Sequence, residues 1–168
     1  MPTMIGRSRK PIFAFLRDRL HKRVLGWKER FLSKAGREVL IKSIAQSIPT
    51  YIMSCFVLPV SFCAEMQSII SKFWWSGTDD KRKFPWVSWN TICKSKKVGS
   101  LGFRNLRAFN LAMLAKHAWR LIQNPVSLCA RVFKAKYYPN DVFLRATPRR
   151  GASFVWQSIM EGKKVIDS

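Results

Sequence analysis

The chain has 168 residues, of which 48% are apolar and 13% aromatic, a composition that excludes a disordered protein and supplies ample material for a buried core. Its 31 Lys and Arg residues face nine Asp and Glu residues, and the net charge of +22 favours a polyanionic partner. We favour nucleic acid as that partner, while an anionic membrane surface and a merely basic, ribosomal-type protein stay open.

Apolar residues at helical spacing predict a first helix from Pro11 to about Gly26 and a second from near Ser33 to Pro49. The predicted core face of the second helix carries the apolar residues Val39, Leu40, Ile44 and Ile48. Its predicted outer face carries the polar residues Arg37, Lys42 and Gln46. Residues 51–59 are apolar on all sides, which predicts a buried segment of either helix or strand.

A third long helix is predicted over residues 62–75, with Ser61 as its N-cap and Gly77 as its end. Its core stripe is Phe62, Met66, Ile69, Ile70 and Phe73. A basic loop then leads to a short helix at 88–93 capped by Ser88, and three further helices follow near 105–124, 127–137 and 152–164. Because no strand alternation occurs, we predict a mainly α fold of about six helices with basic connecting loops, forming a single region over residues 1–168.

The spacing of the cysteines and the length of the apolar runs indicate the redox compartment of the protein and whether it could cross a membrane. No C-x-x-C pair occurs among Cys55, Cys63, Cys93 and Cys129, and only two histidines are present. We therefore predict no metal or other cofactor, and free thiols in a reducing compartment, with nucleus and mitochondrion both open. The longest apolar run, residues 48–60, is too short to cross a bilayer, which predicts no membrane span.

The first 26 residues are rich in arginine and contain one acid, Asp18. This composition suits a mitochondrial presequence, and it equally suits a basic amphipathic helix of the mature fold. We favour the second interpretation, because nothing that follows looks like a fresh domain start.

Four of the seven tryptophans lie in "KFWWSGTDDKRKFPWVSW", residues 72–89. Trp74 falls on the core stripe of the predicted helix, whereas Trp75 falls on its polar side and needs a cover, for which Trp86 or Trp89 are the candidates. We favour this local packing role. The alternative is a base-stacking platform, in which aromatic rings interleave with the basic residues at 81–83.

No catalytic constellation emerges from the sequence. Asp79 and Asp80 are adjacent loop acids followed by basic residues, and the other acids are too scattered to supply a third metal ligand, so we interpret the pair as charged turn residues. No P-loop, G-x-S-x-G or G-x-G-x-x-G motif occurs. His117 is interpreted as a satisfied or solvent-facing helix residue, and "GSLGF" (99–103) as a glycine turn.

Nucleic acid is therefore predicted to be bound through its phosphate backbone by Lys and Arg side chains. The candidate residues are Arg9, Lys10, Arg17, Lys22 and Arg23 near the start, Lys81, Arg82 and Lys83 in the central loop, and Lys94, Lys96 and Lys97 after it. The best single patch is the first helix, where Arg9, Arg17, Lys22 and Arg23 would line one strip. Anionic lipid is the alternative ligand of such a helix.

Four segments together carry a family resemblance: "GWKERFLSKAGREVLIKSIAQSIPTYIMSCFVLP", "FWWSGTDDKRKFPWVSW", "LGFRNLRAFNLAMLAKHAWRL" and "SLCARVFKAKYYP". Over essentially the whole chain, the sequence resembles the C-terminal part of plant non-LTR (LINE-type) retroelement reverse transcriptases. It is also similar to plant open reading frames derived from them, some of which are mitochondrial. The resemblance implies a helical thumb and connection region, whose partner would be the polymerase palm of a parent polyprotein.

The resemblance also implies that the catalytic residues lie elsewhere. The polymerase motif F/Y-x-D-D would lie upstream of Met1, and the zinc ligands and ribonuclease H carboxylates would lie beyond Ser168. Thr78-Asp79-Asp80 lacks the aromatic residue of that motif and lies too far downstream to be it. The expected function is thus a non-catalytic fragment that binds RNA or DNA non-specifically. The alternatives are a protein-interaction module, or a relic with no selected function.

Overall fold

The computed structural model describes residues 10–28, 32–76, 84–148 and 151–167. These residues form eight α-helices and no β-strand. Six of the helices have seven residues or more, so the predicted mainly α fold of about six helices is confirmed. In the same ranges, no helix is long and apolar enough to cross a membrane.

The helices are α1 (Lys10–Lys28), α2 (Lys34–Leu40), α3 (Thr50–Cys55), α4 (Val60–Ser76), α5 (Trp89–Ile92), α6 (Leu106–Gln123), α7 (Leu128–Tyr137) and α8 (Phe154–Ile166). A π-helical turn, Ile41–Ala45, extends α2, and short 3-10 turns lie at Lys96–Val98 and Phe143–Arg145. Contacts divide the chain into unit 1, drawn from 1–50 and 59–106, and unit 2, drawn from 51–58 and 107–168. The single region over residues 1–168 stays a prediction.

Unit 1 is built on α1 and α4, which pack against each other. In α1, one stripe of side chains at spacings of three and four residues is buried: Leu16, Leu20, Val24 and Trp27. Because Trp27 belongs to this stripe, the helix continues past Gly26, its predicted end, although glycine costs about 1 kcal/mol relative to alanine inside a helix. The Trp27 ring packs on Phe73 of α4, with 5.5 Å between the ring centroids.

The predicted core stripe of α4 is largely confirmed, since Phe62, Met66, Ile70 and Phe73 are all buried. Its start differs from the prediction. The helix begins at Val60, and the Cys63 N–H donates to the Pro59 carbonyl at 3.1 Å. Ser61 therefore lies within the first turn and is not the N-cap. The predicted end at Gly77 lies outside the described residues.

The predicted core face of the second helix is wrong at Val39 and misses the most deeply buried residues, while Leu40, Ile44 and Ile48 are half-buried. Val39 is 62% exposed, whereas Ile41, Ala45 and the polar Gln46 are buried. The Gln46 N–H bonds to the Ile41 carbonyl at 3.0 Å, which closes a π turn and shifts the register by one residue. The polar side of α2 turns inward because main-chain carbonyls lie within reach, and Gln46 Nε2 donates to the Arg104 carbonyl at 3.3 Å.

Unit 2 is centred on Trp156 of α8, whose side chain is fully buried. Four rings pack around it with centroids 4.5 to 5.9 Å away: Phe133, Tyr137, Tyr138 and Phe143. The Tyr137 hydroxyl donates to Ser153 Oγ at 2.8 Å and accepts from the Ser153 N–H at 3.2 Å. Since Ser153 is also the N-cap of α8, these bonds join α7 to the start of α8.

The predicted helix near 105–124 is confirmed by α6, which is a core element of the fold. One continuous stripe of α6 is buried: Leu106, Asn110, Leu114, Ala118 and Leu121. The apolar residues that flank this stripe are half-buried: Phe109, Leu111, Met113 and Ile122.

Asn110 holds α3 and the segment after it onto α6 by three hydrogen bonds. Its Oδ1 accepts from the Leu58 N–H at 2.8 Å, and its Nδ2 donates to the carbonyls of Met53 at 2.8 Å and Phe56 at 2.9 Å. The Asn110 side chain is completely buried, and the bonds to Leu58 and Met53 are buried as well, so these two main-chain groups depend on the amide for a partner. The segment 51–59 is consequently buried on one side only, and Tyr51 is exposed, contrary to the prediction.

Gly162 marks a close approach of α8 to α6. A Cβ atom at this position would lie 2.4 Å from the Leu114 carbonyl carbon and 2.5 Å from the Ala115 nitrogen. Both are backbone atoms, so no side chain can move aside. Only glycine permits the observed crossing of these two helices.

We expect Gly162→Ala to lower the free energy of unfolding by about 1–3 kcal/mol or more, because the added methyl forces α6 and α8 apart. Gly26→Ala in α1 is the matched control, since a Cβ there meets nothing within 4 Å. It should raise stability by up to about 1 kcal/mol through helix propensity. Urea unfolding followed by circular dichroism measures both variants, and equal effects would contradict the close crossing.

We expect Asn110→Ala to lower the free energy of unfolding by at least about 1–3 kcal/mol, because three main-chain groups lose their partner and two of these hydrogen bonds are buried. Asn140→Ala, at an exposed position of unit 2, serves as the control and should stay within about 0.5 kcal/mol of the parent protein. The same urea titration applies. A loss below about 0.5 kcal/mol for Asn110→Ala would show that water satisfies these groups.

Candidate nucleic-acid interface

The candidate basic residues of α1 do not form one strip. Successive residues of a helix project about 100° apart, so Lys22 and Arg23 point about 100° from each other, and Arg17 lies at least about 120° from both. Arg17 is also engaged, with Asp18 Oδ1 at 3.2 Å and Glu65 Oε1 at 3.4 Å. The hydrogen bond to Asp18, followed by Glu65, raises the pKa of Arg17.

Part of the predicted binding set lies outside the described residues. These are Arg9 and the loop residues Lys81, Arg82 and Lys83. The predicted turn acids Asp79 and Asp80, which are not part of the binding set, also lie outside the described residues. Lys10 begins α1, but its side chain is likewise outside the described part. Among the described residues, no group of three His, Cys, Asp or Glu side chains is placed to hold a metal ion.

The three connector lysines have different surroundings. Lys96 Nζ lies 3.3 Å from Glu38 Oε1, which also accepts a 2.6 Å hydrogen bond from Lys42. These ammonium groups, Lys42 above all, lower the pKa of Glu38. Lys97 is exposed, and Lys94 lines a cleft of unit 1.

This cleft, which we call the α5 cleft, has a volume of about 590 Å³. Lys34, Trp74 and Trp75 line it from the start of α2 and the end of α4. The other lining residues come from the segment just before α5, from α5 itself and from the connector after it, and they include Val87, Thr91, Lys94, Val98, Ser100 and Leu101. The lining of the α5 cleft is thus mainly aromatic and apolar and includes two lysines.

Local sequence signals explain the shape of the connector wall. The Ser88 hydroxyl accepts from the Thr91 N–H at 3.2 Å and caps α5, as predicted. The 3-10 turn Lys96–Val98 ends at Gly99, whose φ of 78° lies in the left-handed region that favours glycine. Ser100 Oγ then donates to the Thr91 carbonyl at 2.5 Å, so the chain folds back onto α5. The predicted glycine turn at 99–103 is confirmed.

Some of the four tryptophans in residues 72–89 pack against Phe103, and two of them line the α5 cleft. Trp74 is buried, as predicted, and its ring meets Phe103 edge-on at 5.3 Å, while Trp89 stacks on Phe103 at 5.3 Å. Trp86 is 86% exposed, so it does not provide the predicted cover for Trp75. The Trp75 ring instead contacts Lys34, whose ammonium group lies 5.3 Å from the centre of the ring.

Sequence reasoning did not identify Lys34 as a residue of this site. Its ammonium group also lies 4.9 Å from the Trp74 ring, so one lysine contacts both indoles. The local signal is the N-cap Ser33, whose hydroxyl accepts from the Gly36 N–H at 3.2 Å and fixes the start of α2. No local signal brings this start to Trp75, which lies about forty residues further along the chain.

His117 of α6 is half-buried, in agreement with its interpretation as a satisfied helix residue. Burial lowers the pKa of His117, and the positive charge of Arg120 acts in the same direction. The ring also forms a hydrogen bond with the main chain of Ser54 in the same unit.

No family model matches the chain, and no solved structure matches it significantly. The uncharacterized mitochondrial protein AtMg00310 of Arabidopsis thaliana is 39% identical over 121 residues, which cover 71% of this chain and 79% of that protein. The Arabidopsis thaliana protein At1g65750, named for ribonuclease H, is 34% identical over 170 residues, which cover 100% of this chain and 27% of that protein.

The chain therefore belongs to the family of the mitochondrial protein AtMg00310. It spans about a quarter of the length of the relative named for ribonuclease H. These relatives are consistent with a plant protein derived from a retroelement, which is the coarser part of the resemblance found in the sequence. These relatives do not test whether the chain corresponds to the thumb of a reverse transcriptase.

Cys93, which follows α5 directly, provides a chemical test of the packing around the α5 cleft. Burial raises the pKa of the Cys93 thiol to about 11. Because the thiolate is the reactive form, we expect iodoacetamide to modify Cys93 slowly at pH 8 and much faster as the pH approaches 11. Cys129, which is exposed, should be modified first at pH 8. Timed mass spectrometry of the two peptides checks this order, and the reverse order would contradict the buried environment of Cys93.

Proposed function

We propose that this chain is a retroelement-derived, non-catalytic segment that binds RNA and DNA with little base specificity. The supporting relationships are the family of AtMg00310 and the longer relative named for ribonuclease H, of which this chain matches about a quarter. In the finer form of the proposal, the segment corresponds to the thumb and connection region of a LINE-type reverse transcriptase. Its intramolecular partner would then be the polymerase palm of a parent polyprotein.

The observation that carries the proposal is the surplus of basic side chains. Nine acids can neutralise at most nine of 31 Lys and Arg residues one for one, which leaves a net charge of +22. Several acids of the described part are already engaged, such as Glu38 with two lysines and Glu65 with Arg17. Some of the remaining cations donate to main-chain carbonyl groups, as Arg37 and Arg107 do. Cations without such a partner face water or a polyanion, and phosphate backbones are the polyanion that Lys and Arg bind with the release of counterions.

Low base specificity follows from the kind of contact proposed. Lysine and arginine contacts to phosphate position a nucleic acid but carry no sequence information. Lys22 and Arg23 on α1, together with Lys94 and Lys97 on the connector, present exposed cations within unit 1. The predicted residues Arg9, Lys10, Lys81, Arg82 and Lys83 add further positive charge in the sequence around them.

The non-catalytic part of the proposal rests on the distribution of acids. Two-metal polymerase and nuclease sites need several carboxylates that converge on the ions. The nine acids here are spread from Asp18 to Asp167, and the only adjacent pair is Asp79-Asp80, which basic residues follow directly. Charged turn residues remain our interpretation of that pair.

A second candidate function, a protein-interaction module, has one specific observation in its favour. Exposed apolar side chains cluster at the start of α7, where Val126, Leu128 and Val132 all face solvent. Leu128 and Val132 lie one helical turn apart and so share a face. In this alternative the basic residues serve solubility, and the chain would show no salt-dependent affinity for nucleic acid.

We expect the full chain to bind duplex DNA with a log–log salt slope of about −4 to −5, corresponding to about five neutralised phosphates. Scrambling the DNA sequence should leave the affinity unchanged. Filter-binding titrations at several salt concentrations measure the slope. Anionic vesicles serve as the comparison ligand in the same titration. Affinity for vesicles alone, or a nucleic-acid affinity that ignores salt, would contradict the proposed function.

A further inference from the structure

We propose that the α5 cleft receives an unstacked base of single-stranded RNA or DNA, which stacks on the indole of Trp75. The inference rests on the proposed nucleic-acid binding. It adds a defined binding site and a preference for single-stranded over duplex nucleic acid. Phosphate contacts alone would serve duplex and single strand alike, whereas a base can enter a cavity only where it is unpaired. The α5 cleft would thus turn a general affinity for phosphate into a preference for single strands.

The size and the lining of the α5 cleft suit this ligand. A volume of about 590 Å³ lies within the range of about 300–1,000 Å³ that is usual for sites of small organic ligands, so a nucleotide fits. The lining combines the Trp75 ring with the aliphatic side chains of Val87, Val98 and Leu101. Aromatic surfaces of this kind bind bases of any identity, because every base has a π-face.

The charges at the cleft are complementary to a phosphate backbone. Lys34 and Lys94 both line the cleft, and Lys97 follows Lys94 in the same connector. None of the residues found to line the cleft is acidic. The neighbouring acid Glu38 is held by Lys42 and Lys96, so its negative charge is compensated. A base in the cleft would therefore bring its flanking phosphates towards lysines without facing a bare carboxylate.

The Trp75 ring is held in place before any ligand arrives. Lys34 contacts it from the start of α2, and the neighbouring Trp74 is anchored against Phe103. A ring fixed in this way loses little freedom when a base stacks on it, which favours binding. Trp86 is adjacent in sequence to the cleft residue Val87 and almost fully exposed, so it offers a second surface for a neighbouring base.

The first experiment removes the stacking surface. We expect Trp75→Ala in the full chain to weaken binding of a dye-labelled single strand by about 5- to 150-fold and to leave binding of a duplex of equal length unchanged. Trp119→Ala, which removes an exposed tryptophan of unit 2, is the matched control and should change neither affinity. Fluorescence anisotropy measures all four affinities, and circular dichroism verifies that each variant is folded.

A second pair of variants keeps the inference testable if Trp75→Ala does not fold. Val98→Glu places a carboxylate at an exposed position of the cleft wall, and Val132→Glu makes the same charge change on α7 of unit 2. We expect Val98→Glu to lower the ratio of single-strand to duplex affinity at least about fivefold. Val132→Glu should leave that ratio unchanged.

The possible outcomes distinguish a failure of the cleft inference from a failure of the proposed function. If the parent chain binds neither single strand nor duplex, the proposed function fails and the cleft inference fails with it. If the parent chain binds both, and Val98→Glu leaves the affinity ratio unchanged, the cleft inference is overturned while the proposed function stands. The same holds if a folded Trp75→Ala variant weakens single strand and duplex equally, or neither.

Discussion

A chain with 31 basic and nine acidic residues must find acceptors other than carboxylates for the cationic side chains that it partly buries. Main-chain carbonyl groups supply them. Arg37 donates to Trp74, Lys42 to Leu101 and Arg107 to Leu58, at distances of 2.6 to 3.3 Å. A carbonyl has a fixed position and two lone pairs, so each bond ties a basic side chain to a defined point of the backbone. Hydrogen bonds of this kind, from a basic side chain to a main-chain carbonyl group, occur in both units.

This scarcity of acids connects the fold with the proposed function. Cohesion comes from aromatic clusters around Phe103 and Trp156, and from the buried amide of Asn110, which together require no opposite charges. The excess positive charge is therefore not neutralised within the chain. Its self-repulsion opposes compaction unless a polyanion binds. The stability of the free chain and its proposed affinity for nucleic acid thus both depend on the same charge imbalance.

Features that depend on neighbours in sequence were predictable. Helical periodicity located the long helices, and the cap at Ser88 followed from the residue type and its position before an apolar turn. Within α4 the predicted core residues were mostly correct, because the apolar stripe of a regular helix is the side that faces a core.

Features that depend on distant segments were not predictable. The face of α2 was misassigned because Arg37, Lys42 and Gln46 meet carbonyl groups that lie 37 to 59 residues away in sequence. The close approach at Gly162 requires the backbone of α6 to be in place. For the same reason the α5 cleft was missed, since Trp75 was recognised as a residue in need of cover while its partner Lys34 was not.

The most direct test of the charge account is the thermal unfolding of the full chain at low and at high salt, each with and without single-stranded RNA. The account predicts that salt alone raises the midpoint of the free protein, because it screens repulsion between surplus cations. RNA should raise the midpoint at low salt through binding to the folded state, and this increase should disappear at high salt. A midpoint that responds neither to salt nor to RNA at low salt would contradict it.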